Sequence, residues 1–113
     1  MNFYQINYSP AALDDLRSIF NYIALELTAP DTAKNQIDRI RKAVKSLSSF
    51  PKKNVTVDWE PRTSMGMRKL PVNNYVIFYT IDEENSSVDI IRLFYGGRNI
   101  QEIISRNNHD EKL

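Results

Sequence analysis

The sequence contains no cysteine and a single histidine, His109. Disulfides, thiolate nucleophiles and cysteine-ligated metal sites are therefore excluded by the residue inventory. His109 stands in a polar terminal stretch, where chains are commonly disordered, so a nucleophile–base pair built on histidine is not expected. The carboxylates show no recognisable metal-loop spacing, and we expect neither a metal nor another cofactor.

Long apolar runs and a strong net charge are also missing. No segment approaches membrane-spanning length, and the N-terminus lacks a basic region followed by an apolar core. We therefore expect a cytoplasmic protein that does not engage a membrane. Fifteen Lys and Arg against fourteen Asp and Glu give a net charge of +1, which provides little whole-molecule steering toward nucleic acid. Any phosphate-binding surface must be local.

The chain has 113 residues, of which 42% are hydrophobic, enough for one compact domain without metal or disulfide support. We assign that domain to residues 1–105 and interpret residues 106–113 as a flexible polar tail. Residues 3–8 alternate as in a short, half-buried strand. The predicted order of strand, two helices, three strands and a short C-terminal helix indicates the α+β class.

Two amphipathic helices are predicted after the first strand. Ser9-Pro10 is a typical helix start, and Pro30 begins a second helix that ends near Phe50-Pro51. The two helices should form an antiparallel hairpin that covers one face of the sheet. Apolar residues at steps of three and four draw a stripe along residues 10–27 that is predicted to face the core: Leu13, Leu16, Phe20, Ile23 and Leu27.

The second helix also has a basic side. A solvated helical face is the favoured interpretation of these residues, and a binding strip is the alternative. They include Lys34, Arg41, Lys42 and Lys45.

An antiparallel meander is predicted in the second half of the chain. Residues 67–81 indicate a β-hairpin around Asn73-Asn74, because asparagine tolerates the left-handed backbone of a tight turn. Residues 75–81 are apolar on both faces, which favours a central strand, and residues 88–95 continue the meander. Residues 51–65 show no period and are interpreted as a loop.

Arginines are the best polar candidates for function, because a guanidinium presents a planar fork to phosphate or carboxylate. Arg68, Arg92 and Arg98 belong to the meander. Arg92 is expected to share a strand face with Val88, Ile90 and Phe94, and there it either pairs with an acid or lines an exposed concavity.

The aromatic residues of the meander divide into two groups. Tyr75 and Tyr79 are predicted to be core residues, because strands favour aromatics for packing. Tyr95 ends its strand beside Gly96 and could instead stack on an RNA base.

Taken together, these segments resemble the RelE/ParE toxin superfamily. The helix YSPAALDDLRSIFNYIALEL, the strand pair GMRKLPVNNYVIFYTID and the ending VDIIRLFYGGRNIQEII carry the resemblance, which spans nearly the whole chain. It implies a small sheet flanked by an N-terminal helical hairpin. It also implies a growth-inhibiting toxin of a type II toxin–antitoxin or plasmid-stabilization module. A cognate antitoxin would neutralise the toxin by packing an amphipathic segment on it, and operator DNA would be reached only through that antitoxin.

Members of this superfamily differ in target: RelE-like proteins cleave mRNA in the ribosomal A site, whereas ParE-like proteins poison DNA gyrase, and fold cannot choose between them. RNase members often have an arginine early in the strand that here reads YVIFY, a position near Val76. Arg68 and Tyr95 can be matched to the RNase members. If the protein is an RNase, Arg68, Tyr95 and Arg92 are the expected catalytic residues, with Arg92 added as a second arginine for the scissile phosphate.

The ParE-like match is closer at the chain ending. Tyr95-Gly96-Gly97-Arg98-Asn99 is similar to a His-Gly-x-Arg-Asp type of ending, and the resemblance therefore favours inhibition of DNA gyrase. An inactive relative that retains only antitoxin binding is a third reading. The residues expected to contact a target are Arg68, Tyr95, Arg98, Glu60 and Arg62.

Overall fold

A four-stranded sheet packs against a pair of helices in the computed structural model, which describes residues 3–58, 60 and 65–96. The strand order is β1-β4-β3-β2. The predicted α+β class, helical hairpin and antiparallel meander are confirmed, while the predicted C-terminal helix, domain boundary and tail lie outside the described residues. The elements are β1 Gln5–Tyr8, α1 Pro10–Asn21, α2 Pro30–Ser46, β2 Arg68–Val72, β3 Tyr75–Asp82 and β4 Ser87–Tyr95.

The β2–β3 hairpin turns at Asn73-Asn74, as its sequence predicts. Asn73 has a φ of 55°, and Val72 pairs with Tyr75 directly across the turn. Strand β3 lies between β2 and β4, which confirms its predicted central position. The first strand, β1, pairs with β4 in parallel. Because β3 and β4 are antiparallel and Tyr75 pairs with Tyr95, the end of β4 lies at the end of the sheet that carries the Asn73-Asn74 turn, called here the hairpin end.

Apolar side chains fill both faces of the sheet. The larger cluster lies between the helices and the sheet and includes Leu16, Ile40 and Tyr79. A smaller cluster on the opposite face contains Val57, Met67, Phe78 and Phe94. Because β3 contributes to both clusters, its apolar residues on alternating faces are explained by burial on two sides.

The predicted apolar stripe of the first helix is only partly buried. Leu16 and Ile23 are 5% and 7% exposed, whereas Phe20 and Leu27 are 38% and 53% exposed; Leu13 is exposed like Phe20. The helix continues beyond Asn21 as a π-helical turn, Tyr22–Glu26, in which the Leu27 N–H donates to the Tyr22 carbonyl. A π turn inserts one residue, so Leu27 is rotated away from the face that a regular helix would present.

The segment after α2 is more regular than its sequence indicates. Pro51–Lys53 form a 3₁₀ turn, and the chain then runs beside β2. The Val57 N–H donates to the Met67 carbonyl over 2.9 Å, and the Lys69 N–H donates to the Val55 carbonyl over 3.2 Å. These bonds cover part of the outer edge of β2, which would otherwise expose unpaired backbone groups.

A β-bulge in β4 overturns the predicted strand face of Arg92. Phe78 pairs with Arg92 but Tyr79 pairs with Ile90, so Ile91 is an extra residue in β4. A one-residue insertion reverses the alternation of the strand. Val88 and Ile90 consequently join the helix-side core while Arg92 shares the opposite face with Phe94.

Candidate functional site

Arg92 is held in an ion pair with Asp15 of α1. Its Nε lies 2.7 Å from Asp15 Oδ2 and its Nη2 lies 3.0 Å from Asp15 Oδ1. The two side chains are 18% and 13% exposed, and the guanidinium lies 4.4 Å from the centroid of the Phe94 ring. Of the two predicted environments, pairing with an acid is therefore the one found.

Asp15 also closes the open edge of β4. Strand β1 ends at Tyr8 opposite Ile90, so the following residues of β4 have no neighbouring strand on that side. The start of α1 takes its place, because Ser9 Oγ donates to the Ile91 carbonyl over 2.7 Å and Asp15 Oδ2 accepts from the Leu93 N–H over 2.9 Å. Ser9 also caps α1 by accepting from the Ala12 N–H. The sequence pointed to the cap, but nothing local in it indicated the role of Asp15.

Arg68 lies toward the other end of the sheet and braces the segment after α2. Its Nη1 donates to the Asn54 carbonyl over 2.5 Å and, at 3.4 Å, approaches the Lys52 carbonyl. The neighbouring Tyr79 hydroxyl donates to the Pro51 carbonyl over 2.6 Å and accepts from Asn54 Nδ2 over 3.2 Å. One nitrogen of the Arg68 guanidinium, Nη1, thus binds the protein's own backbone.

A second polar contact ties this segment to the β3–β4 turn. Lys52 Nζ lies 2.7 Å from Glu83 Oε1, and the Tyr4 hydroxyl donates to Glu83 Oε2 over 2.8 Å. The hydrogen bond from Lys52 lowers the pKa of Glu83, with a further contribution from Tyr4, and the same contact raises the pKa of Lys52. All three groups are at the surface, so these bonds position the segment more than they stabilise the fold.

Tyr95 differs from both arginines because its side chain faces solvent. The residue is 52% exposed, and its ring packs edge-on against Tyr75 with a centroid distance of 5.9 Å and an interplanar angle of 69°. The two rings border a shallow depression of about 210 Å³ at the hairpin end of the sheet. We call this the Tyr95 depression; it is lined by Pro71, Asn73, Asn74, Tyr75, Val76, Tyr95 and Gly96.

Gly96 allows the close approach that shapes the depression. Its N–H donates to the Asn74 carbonyl over 2.7 Å, and a Cβ at this position would lie 3.3 Å from that oxygen and 3.5 Å from Val76 Cγ2. Contact at these distances leaves little room for a side chain. The close contact holds the end of β4 against the Asn73-Asn74 turn.

The chemistry available at the Tyr95 depression is aromatic contact and hydrogen bonding. Burial raises the pKa of Tyr75, and the nearby phenols of Tyr95 and Tyr22 raise it further. A phenol whose pKa lies above 10 is neutral at physiological pH, so Tyr75 does not supply a general base. An exposed aromatic ring beside a concavity is instead typical of a contact residue.

The structure does not bring the three predicted catalytic residues together. Arg68 pairs with Tyr79 and Tyr95 pairs with Tyr75, so the two are separated by four strand positions, or about 13 Å along β3. Arg92 belongs to the face of β4 that carries Phe94, and its guanidinium is held by Asp15 at the open edge of that strand. Within residues 3–58, 60 and 65–96, no three metal-ligating side chains converge either. Glu60 is exposed, and Arg62 and Arg98 lie outside the described residues.

The fold is similar to that of chains from solved toxin–antitoxin systems. A chain from the chromosomal ParDE system of P. aeruginosa superposes with a TM-score of 0.67 at 19% identity, covering 82% of this chain and 96% of that one. A chain of the RelBE2 toxin–antitoxin complex from Mycobacterium tuberculosis gives 0.59 at 20% identity, with coverage of 82% and 98%. An arginine-to-alanine double mutant of E. coli RelE in the free state gives 0.62 at 15% identity, with 93% of each chain covered.

The family is shown by the sequence comparison. Residues 6–100 match the family described as ParE toxin of type II toxin-antitoxin system, parDE. The chain therefore belongs to the ParE toxin family of type II toxin–antitoxin systems. A search of curated proteins gives no significant match. None of the helices in the described part of the chain is long and apolar enough to cross a membrane.

Proposed function

We propose that this ParE-family toxin inhibits bacterial growth by binding DNA gyrase in the cytoplasm, with the Tyr95 depression as part of the contact surface. The observation that supports this most is the contrast between Tyr95 and the arginines. Arg92 is paired with Asp15 and Arg68 with backbone carbonyls, whereas the Tyr95 ring is half exposed beside a concavity. Exposed aromatics often dominate the energetics of protein interfaces.

The distance between Arg68 and Tyr95 and the pairing of Arg92 argue against the alternative function, that of a RelE-like mRNA endonuclease. Phosphodiester cleavage needs positive groups aimed at the charge that develops on the scissile phosphate. Arg68 and Tyr95 are about 13 Å apart along β3, and the guanidinium of Arg92 is occupied by a carboxylate. Binding to a protein target requires no such convergence.

A cognate antitoxin is the second partner that we propose. The related ParDE, RelBE2 and archaeal RelE–RelB structures are described as toxin–antitoxin systems or complexes, and this chain leaves apolar side chains of its first helix and π turn uncovered. Leu25 and Leu27 are 71% and 53% exposed. An amphipathic antitoxin segment would bury these residues as groove-binding segments do, and operator DNA would be reached through that antitoxin.

Supercoiling of relaxed plasmid by purified DNA gyrase tests the proposed target. Wild-type toxin should inhibit the reaction, and Tyr95→Ala should weaken inhibition by at least about tenfold, because a tenfold loss is about 1.4 kcal/mol and truncation of an aromatic hot spot costs about 2 kcal/mol or more. Phe50→Ala is the matched control, since Phe50 is 69% exposed and follows α2 far from the hairpin end. It should inhibit like the wild type.

A programmed translation extract provides the opposing readout. Cleavage of mRNA at codon positions, together with unimpaired supercoiling at the same dose, would contradict gyrase as the target and assign the nuclease activity instead. Full growth on induced expression without antitoxin would favour the inactive relative. A Tyr95→Ala variant must retain the wild-type circular dichroism spectrum for its loss of inhibition to count.

A further inference from the structure

Tyr95 is carried by a stretch of β4 that has a neighbouring strand on one side only. Strand β1 ends at Tyr8 opposite Ile90, whereas β3 continues along β4 as far as Tyr95. A strand end that is bonded along a single edge opens more easily, because fewer hydrogen bonds have to break. The exposed residue of the Tyr95 depression therefore depends on whatever holds the other edge of β4.

Asp15 of α1 supplies a bond at that edge. Its Oδ2 accepts from the Leu93 N–H over 2.9 Å, while Arg92 Nε and Nη2 bind its two oxygens at 2.7 and 3.0 Å. A carboxylate held by two parallel bonds from a guanidinium has a fixed orientation. The Asp15 side chain is only 13% exposed, so the acceptor that it offers to β4 is largely shielded from water.

Leu93 and Tyr95 are related by the two-residue repeat of the strand. Their backbone groups therefore point to the same side of β4, about 7 Å apart. Among the hydrogen bonds between residues that the structure describes, the bond from Leu93 to Asp15 is the last one on this edge before Tyr95.

The residues on both sides of Tyr95 are held as well. The Gly96 N–H donates to the Asn74 carbonyl over 2.7 Å, and the Arg92 guanidinium lies 4.4 Å from the centroid of the Phe94 ring. The contacts to Leu93 and Phe94 both originate in the pair that Asp15 forms with Arg92. The backbone of Tyr95 is thus placed from one side by α1 and from the other by the Asn73-Asn74 turn.

The direction of the Tyr95 ring follows from this backbone. The residue is 52% exposed, and its ring meets Tyr75 edge-on with a centroid distance of 5.9 Å. Half of the ring has no protein atoms packed on it, so movement of the strand end would carry the ring with it.

On the basis of the proposed function, in which Tyr95 contacts gyrase, we propose that Asp15 is a positioning residue for Tyr95. The Asp15 carboxylate binds the Leu93 N–H, fixes the end of β4 and so sets the direction in which the Tyr95 ring is presented to the target. Holding a contact residue in its bound arrangement strengthens binding, because less ordering is needed when the complex forms. This role is separate from the contribution of the ion pair to the stability of the fold.

The variant Asp15→Ala/Arg92→Met tests the proposal, because it removes the acceptor without leaving the arginine charge unpaired. We call it the acceptor-free variant. In the gyrase supercoiling assay its half-inhibitory concentration should rise about three- to tenfold, which corresponds to the cost of ordering one interface side chain on binding. Asp15→Asn keeps an amide oxygen for the Leu93 N–H, which is a weaker acceptor than a carboxylate, and its loss should be smaller.

Tyr79→Phe is the control for a general loss of stability. It removes a hydroxyl that bonds to Pro51 and Asn54, at a position of β3 four residues from Tyr75. Because these bonds lie away from the hairpin end, the variant should inhibit gyrase like the wild type at a temperature at which both are folded.

A double-mutant cycle tests whether Asp15 acts through Tyr95. Tyr95→Ala added to the acceptor-free variant should inhibit no less than Tyr95→Ala alone, because a missing ring cannot be misplaced. Losses that multiply would overturn the proposal, since Asp15 or Arg92 would then act on the target independently of Tyr95. Wild-type inhibition by the acceptor-free variant would overturn it too.

Nuclear magnetic resonance supplies a readout that does not involve gyrase. The acceptor-free variant should show faster hydrogen exchange at the Gly96 amide and a weaker nuclear Overhauser effect between the Tyr75 and Tyr95 rings, whereas Tyr79→Phe should change neither. Asp15→Asn provides the same measurements, with smaller changes, if the acceptor-free variant does not fold.

Unchanged exchange and ring contacts would show that Asp15 does not hold Tyr95 and would overturn the proposal. If wild-type toxin left gyrase uninhibited, the proposed target would be wrong, and the resonance measurements would still decide whether Asp15 fixes the Tyr95 ring.

Discussion

At the scale of single residues, Arg68 and Arg92 show why a side chain's type does not reveal its role. Both stand in strands and both have the planar donors suited to phosphate. The structure engages them internally, Arg92 with Asp15 and Arg68 with the Asn54 carbonyl. Guanidinium groups are suited to this use because one fork can satisfy several acceptors that would otherwise lack donors.

The ion pair between Arg92 and Asp15 should contribute measurably to stability. We expect Arg92→Met to reduce the free energy of unfolding by about 2 kcal/mol, because it leaves a largely buried carboxylate with the Leu93 N–H as its remaining donor. Urea unfolding of Arg92→Met, Asp15→Asn and the double variant should give a coupling energy of about 1–2 kcal/mol.

An exposed ion pair on the same helix is the control for this cycle. Arg17 and Asp14 are 72% and 71% exposed, and Arg17→Met should cost less than about 0.5 kcal/mol. Strict additivity of the Asp15→Asn and Arg92→Met effects would contradict a direct stabilising contact between those two residues.

At the scale of secondary-structure elements, the sequence predicts what is encoded locally. The Ser9-Pro10 helix start and the Asn73-Asn74 turn rest on the conformational preferences of their own residues, and both are present. The β4 bulge at Ile91 and the π turn at Tyr22–Glu26 are single-residue insertions without a composition of their own. Each reverses or rotates the pattern beyond it, so Arg92 and Leu27 point where regular periodicity does not put them.

The segment at residues 51–57 is the clearest element that periodicity could not reveal. It is held by contacts distant in sequence, among them the bond from the Tyr79 hydroxyl to the Pro51 carbonyl and the bond from Arg68 to the Asn54 carbonyl. Only three of its residues form a 3₁₀ turn. A periodic sequence pattern cannot predict the conformation of this segment, because side chains from other strands hold it in place.

Tyr79→Phe tests whether these side-chain bonds order the segment. The variant removes a hydroxyl that both donates to Pro51 and accepts from Asn54, within a fully buried residue. We expect a loss of about 1–2 kcal/mol in the free energy of unfolding and faster hydrogen exchange at the Val57 amide, which bonds to the Met67 carbonyl.

Tyr8→Phe is the matched control, because the Tyr8 hydroxyl has no hydrogen bond to another residue of the described chain and the residue is only partly buried. Exchange at Val57 should be the same in Tyr8→Phe as in the wild type. If Tyr79→Phe left Val57 protection unchanged, the backbone bonds to β2 alone would account for the order of the segment.

At the scale of the whole molecule, the described surface exposes different kinds of side chain in different parts of the fold. The end of the first helix exposes leucines, the C-terminal half of α2 exposes cations, and the hairpin end exposes Tyr95. The sequence led to Tyr95 through the resemblance of its ending to ParE-like chains, and to the basic side through the spacing of α2. It did not reveal the exposed apolar surface, because Leu13 and Leu27 belong to the stripe that was predicted to face the core.

The exposed leucines at the end of the first helix predict where the antitoxin binds. We expect Leu25→Gln/Leu27→Gln to weaken binding to the product of the adjacent reading frame by at least about tenfold, measured by isothermal titration calorimetry, because each leucine would lose burial on complex formation. Phe3→Gln/Phe50→Gln removes two apolar side chains of comparable exposure, 61% and 69%, from another part of the surface. That variant should bind normally. Equal affinity of both variants for the antitoxin would move its binding site to another face of the toxin.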